Sequence, residues 1–139
     1  MRGMTSRISV FRGSLQEQPT QTLNMKIAEV RRFALALPET TEEPHFHSSS
    51  FRVGGKIFAT VPPEGDVLHV FVDEEEREIA LAMTPAFLEK LFWGKRVWGL
   101  RVILANAEPR IVENLLVQAW KRKTPKHLVA TFDALARSQ

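Results

Sequence analysis

Aromatic and cationic side chains alternate along residues 90–101, Lys-Leu-Phe-Trp-Gly-Lys-Arg-Val-Trp-Gly-Leu-Arg. Lysine and arginine bind phosphate groups, and an exposed indole stacks on a nucleic-acid base. This composition therefore makes the segment a candidate nucleic-acid-binding surface. The alternative is that both tryptophans pack in or beside the core while the cations keep an edge strand soluble. The candidate binding residues of this segment are Lys90, Trp93, Lys95, Arg96, Trp98 and Arg101.

A second basic cluster lies near the C-terminus, directly after Trp120. Positive charge at the C-terminal end of a helix is favourable because it opposes the helix dipole, so this cluster alone does not require a ligand. Only the fold decides whether the two clusters meet in space. The cluster adds Lys121, Arg122, Lys123 and Lys126 to the candidate nucleic-acid-binding residues.

His45 and His47 are the sequence's best candidates for metal ligands. Two residues apart on an extended backbone, they project to one side, which is a spacing that metal sites use. Zinc usually takes three or four protein ligands, however, and only Glu42 or Glu43 stands near enough to supplement the pair. The absence of cysteine excludes disulfide scaffolds, thiolate zinc sites and iron–sulfur clusters. We therefore predict no metal site and no cofactor.

Nucleophilic catalysis finds little support. Residues 48–50 are serines but form no Gly-x-Ser-x-Gly elbow, and Gly54-Gly55-Lys56 lacks the upstream glycine and the following Ser or Thr of a phosphate loop. No set of residues supplies nucleophile, base and orienting group together, so the sequence favours a non-catalytic protein. If the chain does catalyse a reaction, the first residues to mutate are Glu42, Glu43, His47 and Lys56.

Positive charge is concentrated in the C-terminal part of the chain. The 139 residues carry a formal net charge of +3. Residues 26–84 hold six basic and eleven acidic side chains, whereas residues 85–139 hold ten basic and four acidic ones. A localised basic patch is therefore a better hypothesis than affinity of the whole surface for polyanions.

The first half of the chain contains signals for one helix and three strands. Asn24 is placed to cap a helix that Pro38 stops, and residues 39–47 read as an acidic connection. Two glycines, Gly54 and Gly55, supply the positive φ angles of a tight hairpin. The predicted strands are residues 50–53, 56–61 and 67–72, and the nearly continuous apolar character of the third indicates a central position in the sheet.

The second half begins with a helix that Asp73 caps and that ends near Met83. Thr84-Pro85 is a second start signal for a helix reaching Phe92, with an irregular loop as the alternative. Residues 97–104 read as a strand, or as a bent pair of strands broken at Gly99. Two more helices follow, at about 108–123 and from Thr124-Pro125 onward, the second with Leu128, Val129, Phe132 and Leu135 facing inward.

Together these elements predict a two-layer α+β sandwich, an antiparallel sheet with helices packed on one face. No apolar run approaches the roughly 20 residues that a membrane span needs. Residues 1–24 fit no helix or strand period for long and lack the apolar core of a signal peptide. We therefore expect a disordered or loosely attached tail at 1–24, a single domain at 25–139, and a cytoplasmic location without membrane binding.

The order of motifs resembles the MmcQ/YjbR family of small bacterial proteins across about residues 25–135. The resemblance is carried by residues 35–39 (Leu-Ala-Leu-Pro-Glu), Glu42-Glu43, His47, residues 51–59 (Phe-Arg-Val-Gly-Gly-Lys-Ile-Phe-Ala), Trp98 and Pro125-Lys126. It implies an antiparallel sheet covered on one face by helices, similar to secretion chaperones. Family members are often described as DNA-binding on the analogy of their fold, a weak warrant for function. The sequence departs from a common family pattern by having serines where proline often follows the histidine.

Two functions follow as hypotheses. The first is a small non-catalytic binding module that contacts DNA through the basic C-terminal surface. The second is a protein-binding or chaperone-like module, which includes binding to a second copy of itself, with Phe46, Trp93 and Trp98 as anchors. The two differ in their dependence on salt.

Overall fold

The computed structural model describes residues 24–137, in the order helix, four strands, helix, two strands, two helices. The helices are α1 (Ile27–Ala36), α2 (Glu74–Met83), α3 (Pro109–Lys123) and α4 (Lys126–Arg137). The strands are β1 (Thr40–His45), β2 (Ser48–Val53), β3 (Lys56–Val61), β4 (Val67–Val70), β5 (Leu88–Trp93) and β6 (Arg96–Ile103). The tail predicted at the N-terminus falls on residues 1–23, which lie outside the described part.

One antiparallel sheet contains all six strands in the order β1-β2-β3-β4-β6-β5, so β1 and β5 are its edges. The register aligns Phe51, Ala59, Val70 and Leu100 as successive partners, and all four are fully buried. On the opposite face the next row is polar: Ser50, Thr60, His69, Arg101 and Glu89. The predicted α+β fold, with an antiparallel sheet packed against helices, is confirmed.

Helix α3 packs along the apolar face of the sheet. Its predicted inward residues, Val112, Leu115, Leu116 and Ala119, are all buried. Trp120 is fully buried as well, donates its indole N–H to the Pro38 carbonyl at 3.0 Å, and lies 5.0 Å from the ring of Phe132 on α4. These contacts fix the C-terminal end of α3 beside the segment that leads into β1.

The acidic segment before the first predicted strand is itself a strand, which corrects the prediction of a connection at residues 39–47. It is β1, and it pairs with β2 from Thr40 opposite Val53 to His45 opposite Ser48. Its carboxylates and Pro44 hide the strand signal, because an edge strand tolerates charge and proline that an interior strand does not.

The helix predicted from Thr84-Pro85 to Phe92 is wrong. Only residues 85–87 form a 3₁₀ turn, and the chain then continues as the second edge strand, β5, paired with β6 along its whole length. The hairpin turns at Gly94, whose φ of 62° permits a two-residue turn. Residues 87, 88 and 91 are apolar at a spacing that suits one face of a helix. The pairing of β5 with β6, which a local pattern does not reveal, makes this segment a strand.

For residues 97–104 the single strand, and not the bent pair, is confirmed, because β6 runs unbroken through Gly99. Two smaller predictions also change. The N-cap of α1 is Lys26 instead of Asn24. In α4, Leu128, Val129 and Phe132 are partly buried, whereas Leu135 is 61% exposed and does not face inward.

Candidate nucleic-acid interface

The β5–β6 hairpin presents two exposed indoles at its tip. Trp93 and Trp98 are 75% and 51% exposed, and their ring centroids lie 6.4 Å apart with an angle of 59° between the ring planes. Trp93 stands opposite Arg96 in the ladder, and Lys95 occupies the turn between the strands. Neither tryptophan therefore packs in the core, whereas the second part of the alternative, cations that keep an edge strand soluble, agrees with the edge position of β5.

Helix α3 brings the second basic cluster to the same end of the sheet. Arg122 Nη1 donates to the carbonyl of Phe71, the residue after β4, at 2.7 Å. The Val70–Phe71 backbone in turn lies directly against Gly99, next to Trp98, where a Cβ would stand 2.1 Å from the Val70 oxygen. Arg122 therefore lies where β4 ends, beside the middle of β6, and the tip of the β5–β6 hairpin with Lys95 and Arg96 extends beyond this point at the same end of the sheet.

A further cation joins them from the β2–β3 hairpin. Burial lowers the pKa of Lys123, and the neighbouring charges of Arg122 and then Lys56 lower it further, so these three groups share one local field. Sequence reasoning considered Lys56 for a phosphate loop and for catalysis, but not for this surface. Its position directly after the Gly54-Gly55 turn was the signal that it lies at the end of a strand. We call the surface formed by Lys56, Lys95, Arg96, Arg122, Lys123, Lys126 and the two exposed indoles the basic end.

Other predicted residues do not belong to the basic end. Arg101 lies in the polar row of the sheet and pairs with Glu89 at 2.9 Å, and Lys121 pairs with Asp133 at 2.9 Å. Lys90 lies in the middle of β5, opposite Leu100. Within residues 24–137 the cations of the basic end make no salt bridge with a carboxylate. Positive charge at the basic end is therefore available to a ligand.

Carboxylates border this surface on one side. Helix α2 starts three residues after Phe71, and Asp73 caps it by accepting from the Glu76 backbone N–H at 2.9 Å. Glu74, Glu75 and Glu76 occupy its first turn, where they offset the positive end of the helix dipole. The border limits the extent of the basic end.

Three of the residues considered for catalysis, Glu42, Glu43 and His47, line a shallow cavity of about 460 Å³ at the β1–β2 hairpin, whereas Lys56 lies at the basic end. Arg31 Nε donates to one oxygen of Glu42 at 2.8 Å and the Ser49 hydroxyl to the other at 2.5 Å. Arg31, and to a smaller extent Ser49, holds the pKa of Glu42 below its ordinary value although burial opposes them. Ser49 is therefore bonded to an ionised carboxylate and not to a histidine.

The two candidate metal ligands are not on one extended segment. Phe46 adopts a φ of 57° in the turn between β1 and β2, so the expectation that His45 and His47 project to one side is wrong. In the part of the chain that the structure describes, no three His, Cys, Asp or Glu side chains are grouped to hold a metal ion.

His69 lies on the polar face between Thr60 and Arg101. Burial lowers its pKa, the charge of Arg101 lowers it further, and Glu64 partly offsets both. His69 is therefore neutral at neutral pH and adds no positive charge to the sheet. None of the helices between residues 24 and 137 is both long and apolar enough to cross a bilayer.

Comparison with known proteins confirms the resemblance. The family model described as YjbR matches residues 35–122. An uncharacterized protein of Mycobacterium bovis is 33% identical over 125 residues, covering 75% of this chain and 92% of that protein, and uncharacterized proteins of two Mycobacterium tuberculosis strains match equally. The crystal structure of Deinococcus radiodurans protein DR2400, with the family domain DUF419, superposes with a TM-score of 0.60 at 22% identity over 73% of this chain and 80% of that one.

Proposed function

The chain belongs to the YjbR family, and from that premise we propose that it is a non-catalytic module that binds nucleic acid through its basic end. The relatives identify no ligand, so the proposal depends on the surface of this chain. The observation that carries it is that two basic clusters, separate in the sequence, lie at the same end of the sheet as two exposed indoles.

Phosphate contact is the chemistry that this surface supports best. Lys95 and Arg96 are exposed on a hairpin, and Arg122 and Lys123 stand at the end of α3. Each cation that neutralises a phosphate releases a counterion, so about four contacts give a slope of log affinity against log salt of roughly −3.6 on duplex DNA. Phosphate contacts carry no sequence information, so binding is weak and largely insensitive to sequence.

The test is a titration of labelled duplex DNA by the full chain at several salt concentrations. Replacing Lys95 and Arg96 with alanine removes two phosphate contacts and should reduce the slope by about 1.8. The matched control is Lys26→Ala with Arg110→Ala, because both side chains are exposed and lie at the starts of α1 and α3, the opposite end of the molecule. This control removes the same charge and should leave the slope unchanged.

A second control addresses residues 1–23, which contain Arg2, Arg7 and Arg12. When these three arginines are replaced with alanine in the full chain, the Lys95/Arg96 substitutions should still reduce the slope of log affinity against log salt by about 1.8. Equal losses of slope in the Lys95/Arg96 and Lys26/Arg110 variants would show that net charge, and not the basic end, governs binding. Absence of binding at low salt by a folded chain would refute the proposal.

A further inference from the structure

We propose that the basic end selects unpaired, single-stranded nucleic acid over duplex, because Trp93 and Trp98 stack on exposed bases. This inference rests on the proposed function and adds the class of nucleic acid. Duplex bases are already stacked on one another, so only a single strand offers free base faces to a side chain.

The geometry of the two indoles suits separate bases. With ring planes 59° apart and centroids 6.4 Å apart, the rings do not form a parallel clamp around one base. Each ring instead presents its own face to solvent, since Trp93 is 75% and Trp98 51% exposed. Two bases of one strand are therefore the natural occupants.

Packing into the core does not explain why the β5–β6 hairpin carries two tryptophans. The core contains its own tryptophan, Trp120, which is fully buried and hydrogen-bonded to Pro38. Trp93 and Trp98 lie outside it on the hairpin at the sheet edge, where large apolar surface in water has a cost. A ligand that covers the rings recovers that cost.

The charges beside the indoles favour nucleic acid over a protein partner. Arg96 is the ladder partner of Trp93, Lys95 adjoins it in the turn, and neither forms a salt bridge in residues 24–137. The centre of a protein–protein interface is depleted of charge, whereas single-strand sites combine stacking rings with a cationic track for the backbone. In this hairpin the two indoles that stack on bases lie beside the two cations that contact phosphates.

The experiment compares three probes with the full chain at fixed salt: oligothymidine, an abasic oligomer with the same number of phosphates, and a duplex of the same length. Oligothymidine should bind more tightly than the abasic oligomer by about 5- to 150-fold for each stacked base. It should also bind more tightly than the duplex. Oligothymidine should quench tryptophan fluorescence from the two exposed rings, while the buried Trp120 supplies an unaffected background.

The variant Trp93→Ala/Trp98→Ala should lose the preference for oligothymidine while keeping its affinity for the abasic oligomer. The matched control is Phe46→Ala, which removes a ring that is 90% exposed at the β1–β2 turn, the opposite end of the sheet, and should change nothing. Both replaced indoles are exposed, so the fold tolerates their loss.

Equal affinity of the wild type for oligothymidine and the abasic oligomer would overturn stacking while leaving phosphate binding, and thus the proposed function, in place. An equal loss for all three probes in the double variant would assign the indoles a structural role and overturn the inference. Failure to bind any probe at low salt would overturn both proposals. If the wild type is a dimer, the Trp93→Ala/Trp98→Ala variant is a monomer, and the wild type does not distinguish oligothymidine from the abasic oligomer, the indoles form a protein interface instead.

Discussion

Replacing Gly99 with alanine should separate β6 from β4. A Cβ at this position would lie 2.1 Å from the Val70 carbonyl oxygen and 3.1 Å from the Phe71 Cα. All the atoms it meets are backbone, so no rotamer change relieves the overlap, and one strand must move by about 1 Å to reach ordinary contact distance. The ladder it disturbs has four residue pairs, from Val67 opposite Ile103 to Val70 opposite Leu100. We expect a cost near the upper end of overpacking effects, about 3 kcal/mol.

The assay is urea denaturation followed by tryptophan fluorescence, in which the buried Trp120 reports unfolding because Trp93 and Trp98 are already exposed in the folded state. The matched control is Gly54→Ala, where a Cβ meets no atom within 4 Å but φ is 58°, so the left-handed conformation alone costs about 1–2 kcal/mol. Gly99→Ala should be clearly the more destabilising of the two. A loss for Gly99→Ala equal to or smaller than that for Gly54→Ala would refute the steric argument and the close approach of β6 to β4.

Two further predictions concern the contacts that hold β1 and α3. Because Arg31 holds the pKa of Glu42 below its ordinary 4.5, the carboxylate stabilises the fold above that pH and loses this effect as pH falls through its folded pKa. The stability difference between wild type and Glu42→Gln, at most about 1 kcal/mol for so exposed a pair, should therefore vanish in acid; a difference constant with pH contradicts this. Trp120→Phe leaves the Pro38 carbonyl without its donor and should cost about 1–3 kcal/mol in thermal unfolding; an unchanged midpoint would show that the hydrogen bond contributes nothing.

Local signals predicted those elements that one stretch of sequence specifies by itself. The glycine pair after β2 and the cap at Asp73 act within a few residues, and both appear in the structure as predicted. The two edge strands were missed for the converse reason. An edge strand has a partner on one side only, so its composition departs from strand propensity, and its pairing depends on a neighbour elsewhere in the chain.

The candidate site was predicted as two basic clusters, and their relation could not be predicted. The contact that places the second cluster at the end of β4, from Arg122 to the Phe71 carbonyl, spans 51 residues of sequence. Composition also overcounted the cations, because Arg101 and Lys121 have carboxylate partners that the sequence does not reveal.

Helix capping does not account for the cations at the end of α3. The negative end of a helix dipole amounts to about half an elementary charge. Thr124 already donates two hydrogen bonds to carbonyls of the last turn: its hydroxyl to the Trp120 carbonyl at 2.6 Å, and its backbone N–H to the Lys121 carbonyl. Arg122 donates to Phe71, outside its own helix, and Lys123 has a lowered pKa, which shows that its charge lies in an unfavourable field of burial and like charges. A bound polyanion would offset the repulsion that Arg122 and Lys56 exert on Lys123, and this supports the proposal that the basic end binds nucleic acid.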